Sequence, residues 1–68
     1  MQFTVETEQE SDGRWIAEVM DIPGAMKYGR TREEAIAYAE ALALRAIAER
    51  LETGERLAEP IHILFAAA

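Results

Sequence analysis

Thr31-Arg32-Glu33-Glu34 opens the longest unbroken pattern in the chain and dictates how everything else can be arranged. The Thr31 hydroxyl is placed to accept from the backbone N–H of Glu34. The Glu34 carboxylate is placed to reach back to the N–H of Thr31, which makes a capping box. Glu33 and Glu34 sit at the positive end of the helix dipole. Alanine-rich sequence without glycine or proline then runs to Thr53, and Gly54 supplies the C-terminal stop. A helix of about 22 residues is roughly 33 Å long. A compact chain of 68 residues has a radius of gyration of about 11 Å. The helix is therefore as long as the domain, and the remaining residues have to lie along it.

Those residues read as strands. From Gln2 to Glu8, Phe3, Val5 and Thr7 share one face, while Gln2, Thr4, Glu6 and Glu8 share the other, the period of a half-buried strand. Asp12-Gly13 tolerates positive φ at a hairpin tip. Arg14 to Met20 then returns as a second strand, with Trp15, Ala17 and Val19 opposite Arg14, Ile16 and Glu18. Pro23-Gly24 suits a type II turn, with proline presetting φ and glycine accepting the left-handed geometry. Ala25 to Gly29 resumes an extended run with Met26 and Tyr28 on one face, and Gly29 is read as a flexible joint before the cap. After the helix, Ile61 to Phe65 is apolar enough for a fourth strand, and Ala66-Ala67-Ala68 is expected to fray. The expectation is one α+β domain over residues 1–68, ordered β-β-β-α-β, with one long helix on one face of a small antiparallel sheet.

A core this small is marginal, and small scaffolds find support in disulfides, a metal or self-association. The chain has no cysteine and one histidine, which removes disulfides and leaves no reasonable zinc cage. Self-association remains. On a helical wheel Ala35, Tyr38, Ala39, Leu42 and Ala46 cluster on one side, and Ile36, Ala43, Leu44, Ile47 and Leu51 fill much of another. That apolar surface is wider than one sheet needs. Leu44, Ile47 and Leu51 are expected to bury a homo-oligomer interface. The last strand is a second candidate for self-pairing, by addition at a sheet edge.

Thirteen Asp and Glu against seven Lys and Arg give a formal charge of −6. Phosphate backbones select basic surfaces, so the balance disfavours nucleic acid and favours a basic protein partner. The expected contact surface is the acidic strand face, Glu6, Glu8 and Glu18, with neighbouring Asp12. The first residues lack the basic and apolar regions of a signal peptide, and no apolar run approaches the ~20 residues that span a bilayer. The reading is cytoplasmic, with no membrane association.

Little here points to catalysis. His62 has no carboxylate or nucleophile beside it in its own strand, and Ser11 lies at a hairpin tip outside any nucleophile elbow. Phosphate-binding glycine loops are absent. A two-metal nuclease needs convergent carboxylates, and Glu6 and Glu18 lack an obvious helical third member beyond Glu40. No cofactor, metal site or enzymatic activity is expected.

The ordered set Asp12-Gly13-Arg14-Trp15-Ile16-Ala17-Glu18-Val19, Ile22-Pro23-Gly24, Gly29-Arg30-Thr31 and Glu33-Glu34-Ala35 resembles the HicB family of antitoxins from type II toxin–antitoxin systems. The likeness covers about Phe3 to Leu51. It implies a degenerate ribonuclease H-like β-β-β-α-β domain that blocks a small basic ribonuclease toxin, HicA, by protein contact. Many family members add a C-terminal DNA-binding module. The residues after the helix, Glu55 to Ala68, are too few for one, so no direct DNA binding is expected. The alternatives are an orphan HicB-like oligomeric adaptor without a toxin, or a metal-dependent nuclease.

Overall fold

The computed structural model describes residues 1–54 and 60–68. In chain order the elements are β1 (Gln2–Gln9), β2 (Trp15–Val19), β3 (Met26–Gly29), α1 (Arg32–Glu52) and β4 (Leu64–Ala67). The four strands form one sheet in the spatial order β3-β2-β1-β4, and α1 packs on one face, an α+β arrangement. β1 pairs antiparallel with β2, and β2 with β3.

The sheet is mixed, which corrects the expected antiparallel one: β4 runs parallel to β1. The long helix is the cause. It carries the chain back along the sheet, so the strand after it starts from the same end as β3 and runs in the same sense. β4 also lies three residues later than expected, at Leu64–Ala67 rather than from Ile61. Ala66 and Ala67 pair with Thr4 and Val5, and the Ala68 N–H donates to the Val5 carbonyl at 2.9 Å. This register sets Phe65 beside Phe3 with ring centroids 5.7 Å apart, a contact an earlier register would forfeit.

The turns follow local chemistry. The Glu10 carbonyl accepts from the Gly13 N–H at 3.0 Å, and Gly13 takes φ +94° while Asp12 stays out of the left-handed region. Ser11 and Asp12 are thus the central pair, and Gly13 closes the hairpin. In the next turn the Ala25 N–H donates to the Ile22 carbonyl at 3.1 Å with Gly24 at φ +83°, as a type II turn requires. At the helix start the Thr31 hydroxyl accepts from the Glu34 N–H at 3.0 Å. The Glu34 carboxylate, however, accepts from the backbone N–H of Arg30 at 3.0 Å, one residue before the expected Thr31, and also from the Arg30 guanidinium at 3.3 Å.

The core holds small side chains. Ala35, Ala39, Ala43 and Ile47 of α1 are buried against Val5, Ala17 and Val19 of the sheet, with Ile22 and Ala25 from the β2–β3 turn. The helix lies mainly over β3 and β2 and only touches β1. Three successive alanines at spacing four let it come close. At Gly29, which has no positive φ, an added Cβ would stand 2.4 Å from the Ala35 nitrogen. Gly29 is therefore needed for space, and the flexible joint expected there is corrected. Ile47 is only 5% exposed, so it belongs to this core and not to a surface patch with Leu44 and Leu51. Tyr38 is the converse: grouped with Ala35 and Ala39 on the wheel, it lies at the margin of the buried stripe and stands exposed.

Candidate functional site

The strands alternate, so the sheet has a second face, and among the described residues no helix or strand packs on it. Val5, Ala17 and Val19 point into the core, which sends their neighbours Glu6, Glu8, Ile16 and Glu18 outward. The register aligns two rows across the three antiparallel strands. Glu8 faces Ile16, which faces Tyr28; Glu6 faces Glu18, which faces Met26. Each row ends in an exposed apolar side chain on β3, Tyr28 at 43% and Met26 at 46% exposure.

Glu6 and Glu18 are thus directly opposed carboxylates, with Glu8 diagonal to Glu18. Opposed side chains on antiparallel strands have Cβ atoms about 5 Å apart, and like charges there destabilise the pair. None of these three makes a hydrogen bond or ion pair among the described residues. The basic residue on this side, Arg14, lies at the patch's edge: its guanidinium is 4.4 Å over the Tyr28 ring and bonds Asp12 at 2.8 Å, so it pairs with Asp12 and not with the three glutamates.

Asp12 does not join the group. It sits at the hairpin, where its carboxylate accepts the backbone N–H of Arg14 at 3.0 Å as well as the guanidinium. Those bonds, the backbone one first, hold its carboxyl below the ordinary 3.8. Its charge is already answered. Asp21 is structural too, accepting the Thr4 N–H at 2.8 Å where the β1–β2 ladder ends.

The site that emerges is a flat, open patch of three unanswered carboxylates bordered by Ile16, Tyr28 and Met26. Those apolar members were missed as partners of the acids, although alternation had already put Ile16 with Glu18 and Met26 with Tyr28. What joins them is the cross-strand register, which depends on turn geometry. Among the described residues no group of three His, Asp or Glu converges to hold an ion. His62 precedes β4 and is exposed; its carbonyl accepts from the N-terminal amine of Met1. A shallow cavity of about 260 Å³ lies on the helix side, lined by Met1, Phe3, Ile47 and Arg50, remote from the carboxylates.

Among the described residues no helix is long and apolar enough to cross a membrane. No protein-family model, curated protein or solved structure matches the chain.

Proposed function

We propose that this chain is a non-enzymatic antitoxin-type module that neutralises a small basic ribonuclease toxin of the HicA kind by covering it with the open sheet face. The observation that carries the reading is the Glu6–Glu18 opposition. A sheet with one covered face needs only polar residues on the other. Placing two carboxylates opposite each other, beside a third, costs stability that ordinary polar residues would not. A cationic partner turns that cost into attraction.

The surrounding residues fit a protein partner. Ile16, Tyr28 and Met26 supply apolar area along one border of the charges, and aromatic residues and methionine are enriched at interfaces. The net charge of −6 would draw a basic protein in and orient it. The resemblance to HicB antitoxins along Phe3 to Leu51 supports the same assignment and the degenerate ribonuclease H-like description of the fold. Inhibition in this scheme is steric and electrostatic, and the chain turns nothing over.

The test is RNA cleavage by a HicA-type toxin encoded beside this chain, with and without the purified domain. Wild type should abolish cleavage at stoichiometric ratio, and the triple variant Glu6→Lys, Glu8→Lys, Glu18→Lys should not. Equal inhibition by both proteins, or none by either, would remove the proposal.

A further inference from the structure

The side of α1 turned away from the sheet carries a second pattern. Ala37, Ala41, Leu44, Ala48 and Leu51 follow at steps of four, three, four and three residues, the spacing of a coiled-coil seam. At 3.6 residues per turn this seam lies roughly 140° around the helix from the Ala35-Ala39-Ala43-Ile47 stripe. Leu44 and Leu51 remain 44% and 40% exposed; Ala37 and Ala48 are exposed and Ala41 half-buried. Glu40 flanks the seam on one side and Arg45 on the other. Neither forms an ion pair among the described residues.

We propose that this seam packs against the same seam of a second copy, in a parallel two-fold pair, with Glu40 of each chain facing Arg45 of the other. Charge decides the occupant. The open sheet face repels another copy, because two sets of unanswered carboxylates would meet. The seam is uncharged along its centre and carries Glu40 on one edge and Arg45 and Glu52 on the other, so Glu40 and Arg45 give it charges of opposite sign that a second copy can pair. Its shape agrees, since leucine knobs at 44 and 51 alternate with alanine gaps at 41 and 48.

Charge also decides the direction. In a parallel pair the flanking residues meet at a spacing of five, which joins Glu40 to Arg45 twice across the two-fold axis. An antiparallel pair that keeps Leu44 in contact brings Arg45 against Arg45 or Tyr38 and gains no ion pair; only a slip that leaves Ala48 and Leu51 alone in contact would set Arg45 against Glu52. The seam spans roughly 21 Å, far less than a standard interface, so the pair is a weak, concentration-dependent dimer. Both acidic sheet faces point outward from it and stay free.

The chain contains no cysteine, so single cysteines report the geometry. Ala41→Cys and Ala48→Cys should both form disulfide-linked dimers under mild oxidation, and Glu49→Cys, off the seam, should not. An antiparallel pair aligns at most one of the two with its own copy. In sedimentation equilibrium, wild type should dimerise in the range of about 10–500 μM, and Leu44→Asp should weaken association at least roughly tenfold with an unchanged far-UV spectrum. Arg45→Glu should weaken it several-fold, and adding Glu40→Arg should restore it. A chain monomeric through that range, a dimer indifferent to Leu44→Asp, cross-linking at only one seam position, or no rescue by the charge swap would each overturn the proposal. Because toxin neutralisation is a separate readout, failure here leaves the sheet-face reading standing, and the reverse also holds.

Discussion

Gly29→Ala distinguishes two accounts of one glycine by the sign of its effect. If Gly29 served as a flexible joint, alanine would reduce the freedom of the unfolded chain and stabilise the domain by about 0.4–1 kcal/mol. The structure requires the opposite. The new Cβ would lie 2.4 Å from the Ala35 nitrogen, 2.9 Å from its Cα and 3.0 Å from the Glu34 carbonyl carbon. All three are helix backbone, which has no rotamer to escape into. Restoring ordinary contact moves the helix start outward by roughly 1 Å and lifts Ala35 from a position with no exposed surface. Forced repacking of this kind costs about 1–3 kcal/mol, and rigid backbone puts this site near the top of that range. A domain of 68 residues has ~3–10 kcal/mol in all. Urea unfolding followed by Trp15 fluorescence should therefore show a loss of about 2–3 kcal/mol with unchanged slope, and the melting temperature should fall by roughly 10–20 °C. A variant as stable as wild type, or more so, would refute the steric account.

Glu18→Gln should raise the melting temperature of the free domain at low salt, by the equivalent of a few tenths of a kcal/mol, with the gain fading at about 0.5 M salt; the same variant should bind the toxin less tightly. Ile47→Ala should cost about 2–4 kcal/mol in urea unfolding, whereas Leu44→Ala should stay within roughly 0.5 kcal/mol in the dilute monomer, because one is core and the other surface. The Glu34 carboxyl is held below its ordinary 4.5 by the backbone N–H of Arg30 and then by the Arg30 guanidinium. Its folded value is depressed, so its contribution is complete above the ordinary value and disappears as pH falls through the lowered one. Melting temperature plotted against pH should thus fall less steeply below about pH 4.5 in Glu34→Gln than in wild type.

The parts of the fold legible in the sequence are those governed by neighbouring residues. Thr31 caps the helix because its hydroxyl reaches Glu34, three residues on. Gly13 and Gly24 take the left-handed conformations that their turns demand. The alternation in β1 and β2 gave the two faces of the sheet directly. What escaped was decided by distance between elements. Coiled-coil-like spacing points to Leu44, Ile47 and Leu51 as one group, yet the sheet receives Ala35, Ala39 and Ala43 because Gly29 and Ala17 allow a close approach only to small side chains. Ile47 joins that stripe by spacing, not by size. The parallel pairing of β4 and its start at Leu64 likewise depend on where α1 delivers the chain and on Phe65 finding Phe3. Of the candidate acids, Glu6, Glu8 and Glu18 meet on one face. Asp12 is held back by Arg14, two residues away, a competition that residue types alone do not rank.

The two exposed faces answer different physical requirements. An open sheet face with Tyr28, Met26 and Ile16 on it would invite a second copy to stack, the ordinary way a single-layered sheet completes a sandwich. Glu6 and Glu18 forbid that pairing, since desolvating opposed carboxylates against their own copies offers no compensating charge. In the proposed reading the charges act against the domain itself as much as for a partner, by keeping the face open for a cationic surface. The proposed self-association is left to the helix seam, where Glu40 and Arg45 carry opposite charges. High salt should consequently loosen both contacts, but only mutation of the sheet carboxylates to neutral residues should create a new, sheet-mediated association. Glu6→Gln with Glu18→Gln, placed in the Leu44→Asp background to silence the seam, should show weak dimerisation that Leu44→Asp alone lacks. If that triple variant stays monomeric at the highest soluble concentration, the carboxylates are not what keeps two sheets apart.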